Sequence, residues 1–364
     1  MRPNRIELTA LIIGLLGIAG CIVGVILEPG AFFRAWLCSY LFWLGVPLAG
    51  ITLVLVHDLT GGQWMAAARE PLTAAALTMP LASLAGVPAF IGLHTLYSWA
   101  HPAPDLGNVF YLNPLAFFIR YGCYVVVWNI MAAFVVFGPR AGRLPINPAL
   151  SWISGIGLVV LAFSTGFAAI DWILSLEPKF WSSIFPYTQG ASWFNTGLAL
   201  VLLTIALIGW PVVDRRKHMV DLTQILLATT IFWAYVEFMQ FLIIWESNLK
   251  HEIPWYLKRL DSAWHPAIYV SAGLGFIVPF FVLLWGPSKR RRAIVATICV
   301  LILISRLANT WLLVMPEFDG GTSFWLDIAA VLALGGAMML LFAVALRALP
   351  RVASRTSAWR MDHA

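Results

Sequence analysis

Between Leu8 and Leu27 the chain reads LTALIIGLLGIAGCIVGVIL, a run without a single charged residue. At 1.5 Å per residue an α-helix needs about 20 such residues to cross the hydrocarbon of a bilayer. No small-residue cleavage site follows, so the run reads as a first spanning helix and not as a secretory signal. Nine further apolar runs follow, at 32–56, 72–95, 114–137, 149–174, 191–213, 221–245, 264–285, 292–315 and 324–346. The 364 residues are 61% hydrophobic and 11% charged, far from the roughly 25% charged composition of soluble domains. The sequence therefore predicts an all-α membrane protein of about ten transmembrane helices.

Orientation follows from the basic residues. With the N-terminus inside, the inner segments hold Arg2, Arg5, Arg69, Arg140, Arg143, Arg215, Arg216, Lys217, Lys289, the run Arg290 to Arg292, and then Arg347, Arg351, Arg355 and Arg360. The opposing loops hold Arg34, Lys179, Lys250, Lys258 and Arg259. Such an asymmetry in short loops puts both termini in the cytoplasm. The pI near 9.3 and the basic tail at 347–364 are accounted for as topology signals or contacts with membrane lipids, with no nucleic-acid site.

Two stretches match each other. Phe137-Gly138-Pro139-Arg140 and Trp285-Gly286-Pro287-Ser288-Lys289 close the fourth and eighth runs alike; Asp171-Trp172-Ile173-Leu174 before Glu177-Pro178 resembles Thr310-Trp311-Leu312-Leu313 before Pro316-Glu317. This predicts two four-helix bundles, helices 2–5 (32–174) and 6–9 (191–315), with the first and last helices peripheral. Four helices per unit make the repeats parallel, about an axis along the membrane normal.

Cys21, Cys38, Cys123 and Cys299 lie singly in apolar runs, and no C-x-x-C occurs. They read as small core thiols. Covalent haem, cysteine-held iron–sulfur clusters and structural zinc have no support. No histidine lies near mid-membrane to ligate haem b. The tryptophans near run ends, Trp99, Trp181, Trp210, Trp245, Trp255 and Trp285, read as interfacial belts.

Charges inside spans cost ~2.5–3.5 kcal/mol on insertion scales, so those present face the interior and mark a pair or a pathway. Glu237 and Arg306 lie at matched depths of the seventh and ninth helices, which predicts an ion pair, structural or proton-handling, with Gln240 one turn from Glu237 on the same face. Near the outer surface His94, Arg120 and Asp171 come from three successive helices. A quinol-oxidising site needs such groups, because two protons leave with two electrons; the alternative is a snorkelling Arg120 and a capping Asp171. His265 occupies the matching outer region of the second bundle. His57 and Asp58, with Asp221 and Gln224, mark the inner ends as a proton-uptake region or as solvated loop residues.

With ten helices in place, the outer segments become recognisable. Asp171 to Pro178, followed by Trp181-Ser182-Ser183-Ile184-Phe185, resembles the helix-five exit of the membrane subunits of bacterial alternative complex III. Phe238-Met239-Gln240-Phe241-Leu242-Ile243-Ile244-Trp245, Asn248-Leu249 and Glu252-Ile253-Pro254-Trp255-Tyr256-Leu257-Lys258-Arg259 resemble the helix-seven exit of its F-type subunits. Phe42-Trp43-Leu44-Gly45 and His57-Asp58-Leu59-Thr60-Gly61-Gly62-Gln63-Trp64 fit the same family, and the similarity extends over most of the chain. These proteins are in turn similar to polysulfide-reductase-type (NrfD-like) subunits. Lys250-His251 departs from the acidic pair the pattern leads one to expect.

The resemblance implies a subunit of a quinol:electron-acceptor oxidoreductase in a bacterial inner membrane, supporting quinol oxidation and proton translocation without a redox metal of its own and not catalytic alone. It implies a paralogous C-type membrane subunit as neighbour, and multihaem cytochrome c and iron–sulfur subunits carrying the haem and clusters. By motif, the proton path would run through His57, Asp58, Asp171, Glu237 and Gln240, with Arg306 added by depth. A quinone site would use His94, Arg120, Asp171 and His265. A secondary transporter with parallel repeats is the competing expectation; a lipid-modifying enzyme lacks a loop cluster of His and Asp.

Overall fold

The computed structural model describes residues 4–62, 64, 65, 67–101, 108–138, 148–208, 215–318 and 323–349, without the side chains of 148–150 and 215–217. The expectations placed on the tail beyond 349, on Pro139, Arg140 and Arg143, and on Trp210 lie outside the described residues. Helix α1 spans Arg5–Leu27 and α2 Pro29–Thr60. A third crossing is assembled from α3 (Arg69–Ala76), α4 (Met79–Ala85), α5 (Val87–Ile91) and α6 (Leu93–Leu96). Then come α7 (Pro114–Phe137), α8 (Pro148–Trp172), α9 (Phe185–Ile208), α10 (Arg215–Glu246) and the short α11 (Ile253–Leu260). The eighth crossing is α12 (Pro266–Ala272), a π-helical turn at Gly273–Ile277 and α13 (Val278–Leu284); α14 (Arg292–Val314) and α15 (Phe324–Ala348) complete the chain. Among the described residues there is no strand, and ten segments are long and apolar enough to cross a membrane.

The order of spans is as the apolar runs predict; their continuity is not. The third run was expected as one helix over 72–95, but Pro80 and Pro88 sit at the second positions of α4 and α5. Proline removes a helical N–H and collides with the preceding turn, so the helix restarts at each. Thr78 closes the first break by donating its hydroxyl to the Ala75 carbonyl at 2.6 Å. The sixth span begins at Phe185, upstream of the expected 191. Elsewhere ends follow capping rules: Asn4 accepts from the backbone N–H of the first turn of α1 while Glu7 reaches back, and Asn113 accepts from Ala116 N at 2.8 Å beside Pro114.

Helix α2 forms the centre, packed against α3, α8, α9 and α15, while α9 packs in turn against α8, α10 and α14. α2 and α9 meet backbone to backbone. A methyl at Gly45 would fall on the Trp193 main chain, and one at Gly197 on Ala49 and the carbonyls of Gly45 and Val46. Small residues allow this approach, which is how helices gain packing energy in lipid. α1 lies on α15 in the same manner, Gly14 and Gly17 facing Gly336 and Ala333, and Glu7 pairs with Arg347 at 3.2 Å. The matching ends of α8 and α14 both run into 3₁₀ turns, Leu174–Leu176 and Met315–Glu317. Of the cysteines, Cys21, Cys38 and Cys299 are buried as expected, but Cys123 is exposed on α7.

Candidate functional site

At the end of α2 the chain reverses through Gly61 (φ 66°) and Gly62 (φ 92°), a left-handed region that glycine enters without steric cost. The turn brings the Gly62 carbonyl to 3.0 Å from His57 Nε2. The other ring nitrogen, Nδ1, lies 3.4 Å from Arg69 Nη1 and 4.0 Å from Asp58 Oδ1, and Arg69 Nη1 is 3.6 Å from that same carboxylate oxygen. His57 and Asp58 are thus together as expected, held by an arginine that sequence reading had assigned only to loop charge. No hydrogen bond or ion pair brings Asp221 or Gln224 to this group; Gln224 is exposed.

Asp171, 1% exposed, ends α8 opposite Arg120 of α7. Arg120 Nε donates to both carboxylate oxygens, at 3.1 and 2.9 Å, and the Tyr124 hydroxyl donates to Oδ2 at 2.7 Å. Arg120 Nη1 also donates to the Tyr111 carbonyl at 3.0 Å, and its guanidinium lies 3.9 Å from the Tyr111 ring centre. The carboxylate is fully engaged, while Arg120 Nη2 is buried without an acceptor. His94 does not join it: it is exposed, its ring 5.3 Å from that of His101. The expected triad of His94, Arg120 and Asp171 is therefore a pair completed by tyrosines, because His94 lies on the short α6, which turns its side chain outward.

Later in the chain, Arg306 is buried within α14 at 1% exposure. Its room comes from the π-helical turn, where Gly275 packs against Arg306 and Ser305. Arg306 Nη2 donates to Ser305 Oγ at 3.0 Å, while Nε and Nη1 meet no acceptor. Its guanidinium stacks 3.4 Å from the Trp233 ring centre. Glu237 lies one turn beyond Trp233 on α10 and makes neither a hydrogen bond nor an ion pair with Arg306. The expected ion pair is replaced by a cation–π contact, with the carboxylate left facing open space.

That space is a cavity of about 460 Å³, lined by Glu237, Arg259 and a wall of Trp233, Phe238, Phe241, Trp255, Tyr256 and Phe276. Gln240, on the same face as Glu237, bonds instead to residues of other elements. Its Oε1 accepts from Ser182 Oγ at 2.7 Å and its Nε2 donates to the Tyr256 hydroxyl at 3.2 Å. With its oxygen accepting from Gln240, Tyr256 keeps its own proton for a further acceptor.

Sequence reading missed Arg259. Assigned to an outer loop, it is buried in α11, stacked 3.3 Å over Trp255 and donating to Glu317 at 2.8 Å and to the Leu313 carbonyl at 2.8 Å. Burial lowers its pKa to about 10 against the opposing pull of Glu317, so it remains charged at neutral pH. Lys258 joins Glu317 at 2.8 Å and Glu177 at 3.9 Å, so the two glutamates that end the matching segments share one cation. Trp255, expected in an interfacial belt, is buried and stacks 4.4 Å from Phe180. His265 packs on Tyr269, ring centres 5.1 Å apart, away from the cavity lining. Among the described residues no group of three or more His, Cys, Asp or Glu could hold a metal ion.

Fold and site together define a multi-pass helical membrane protein whose buried charges gather in separate groups along the bundle. No protein-family model and no curated protein matches the chain.

Proposed function

We propose that this chain is a membrane subunit of a quinol:electron-acceptor oxidoreductase of the alternative complex III type, resembling its F-type, NrfD-like subunits and built as two parallel four-helix units. In this reading both termini are cytoplasmic in a bacterial inner membrane. A paralogous C-type subunit, multihaem cytochrome c and iron–sulfur subunits are its partners and carry the electrons. The crossing of α2 and α9 at Gly45 and Gly197, and the 3₁₀ turns that end both α8 and α14, support the repeat.

One observation carries the functional reading: the aromatic-walled cavity beside Glu237. Ligand sites for planar amphiphiles are largely apolar, with a few polar groups to orient the ring. Tyr256 has a proton to donate to a ring oxygen, Glu237 is a carboxylate able to take one, and Gln240 and Ser182 continue the hydrogen bonds away from the cavity. Quinol oxidation needs a base at the ring because each electron leaves with a proton. The Asp171 pair, by contrast, has its carboxylate filled by Arg120 and Tyr124 and is assigned to structure. His57, Asp58 and Arg69 form the group for proton exchange at the opposite end.

The transporter alternative requires broken helices at equivalent places in the two units. The third crossing is broken and the eighth carries the π-turn; in the proposed repeat the third corresponds to the seventh, which is the continuous α10.

The test is affinity purification of the tagged chain from native membranes in mild detergent. A haem c spectrum and quinol turnover in the purified complex are expected. A colourless, solitary protein without turnover would overturn the reading.

A further inference from the structure

The contact of α1, α2 and α15 leaves a second hollow, which shares no lining residue with the cavity beside Glu237. It holds about 420 Å³ and is lined by Arg5, Thr9 and Ile13 of α1, Trp43 of α2, and Val331 and Met339 of α15, among others. From Arg5 to Ile13 is two turns of helix and a little more, roughly 12 Å along the axis. Its floor exists because glycine stands at 335, where a methyl would strike the Trp43 indole. Trp43 in turn is fixed by donating its indole N–H to the Val331 carbonyl at 3.1 Å.

Arg5 gives the groove its chemistry. It is the first residue of a spanning helix and therefore lies at a membrane surface. Its guanidinium makes no hydrogen bond or ion pair with a described residue, whereas the nearby Glu7 is engaged by Arg347 at 3.2 Å. Arg5 is thus a cation without an ion-pair partner among the described residues, bordering a slot whose other lining residues are apolar apart from Thr9. In sequence, Arg2 precedes this helix end, and Arg351 and Arg355 follow Arg347 at the end of α15. Basic pockets between spanning helices are suited to anionic headgroups, and arginine binds phosphate with two parallel hydrogen bonds.

We propose that the groove between α1 and α15 is a binding site for one anionic phospholipid, its phosphate on Arg5 and an acyl chain lying along the slot against Trp43 and Gly335. The bound lipid completes the surface of the peripheral α1–α15 pair where the protein leaves it concave.

Lipids extracted from the detergent-purified full chain and identified by mass spectrometry test this, together with binding to nanodiscs of phosphatidylcholine with and without phosphatidylglycerol. The wild type is expected to retain phosphatidylglycerol or another acidic phospholipid in preference to phosphatidylcholine. Arg5→Gln should lower that preference ~5-fold, the effect of one surface cation at about 1 kcal/mol. Thr9→Trp, which fills the slot from an exposed position, should remove the retained lipid while the protein stays monodisperse in detergent. Absence of enrichment, or enrichment indifferent to both substitutions, would overturn the site. Loss with Thr9→Trp but not with Arg5→Gln would overturn the headgroup assignment. A protein segment captured in the groove by a photo-cross-linker at position 9 would overturn the lipid as occupant.

Discussion

Arg306 stacks on Trp233, 3.4 Å from the ring centre, one helical turn from Glu237, and does not bond to that carboxylate. A desolvated guanidinium over an indole is worth about 2 kcal/mol, enough to hold the side chain but not to satisfy its free donors. The separation leaves Glu237 to the cavity and Arg306 as a fixed positive charge behind it.

Glu237→Gln keeps the shape of the side chain and removes the base. In the assembled complex, quinol oxidation should fall at least tenfold, since positioned general bases contribute roughly 10²–10⁴-fold. Helix packing should be undisturbed, because Glu237 has no bonded partner to abandon. Steady-state turnover and the thermal midpoint of the same preparation check both halves; full turnover would remove Glu237 from the chemistry.

Asp171 should behave in the opposite way. Asp171→Ala leaves Arg120 without its carboxylate and should cost about 3–5 kcal/mol, seen as a lower thermal midpoint and poor recovery of the complex. Removing both charges, with Asp171→Asn and Arg120→Gln, should recover part of the loss, because the penalty belongs to the unmatched charge. If Asp171→Asn assembled normally and only turnover dropped, the pair would be catalytic after all.

Glu317→Gln removes the anion that Arg259 and Lys258 share. Since Arg259 is buried and charged, the cost should reach a few kcal/mol, and the cavity wall built by Trp255 should loosen with it. A fall in thermal midpoint accompanied by increased solvent access to Trp255, read by fluorescence quenching, is the expected result.

At the crossing of α2 and α9, Gly197→Val should abolish folding, as its side chain would enter the carbonyls of Gly45 and Val46. Gly122→Ala, at a position with nothing within 4 Å, should be silent or slightly stabilising. Expression of monodisperse protein distinguishes the two.

Hydropathy was enough to read the ten spans, because in lipid the length of an apolar run is itself the structural constraint. The interruptions of the third span were also written there, in Pro80, Gly86, Pro88 and Gly92, but a window that averages hydropathy passes over them. The π-turn had no comparable mark: Gly273 and Gly275 are unremarkable until Arg306 is seen against them. Depth along a helix pointed to Glu237 and Arg306 as partners and misjudged their relation, since depth says nothing of the direction in which a side chain leaves its axis. Arg259 and Arg69 were hidden by their sorting as loop charges, and their carboxylate partners, Glu317 and Asp58, lie on other helices. His94 and His265 stood at the right ends of helices, yet nothing in a single sequence gives the rotation that turned them away.

The backbone contact at Gly45 and Gly197 also limits how this protein moves. Helices joined through side chains can rock by exchanging rotamers; α2 and α9, joined through carbonyls and glycine Cα atoms, have no such slack, and tilting one against the other would open a void along their seam. A relative movement of elements would have to fall outside this seam, and the π-turn of the eighth crossing carries the extra residue per turn that such a movement could use. A shift there would carry Gly275 off Arg306 and change the electric field over the cavity while the seam stayed still, so that the molecule would work as a stator with one adjustable rod.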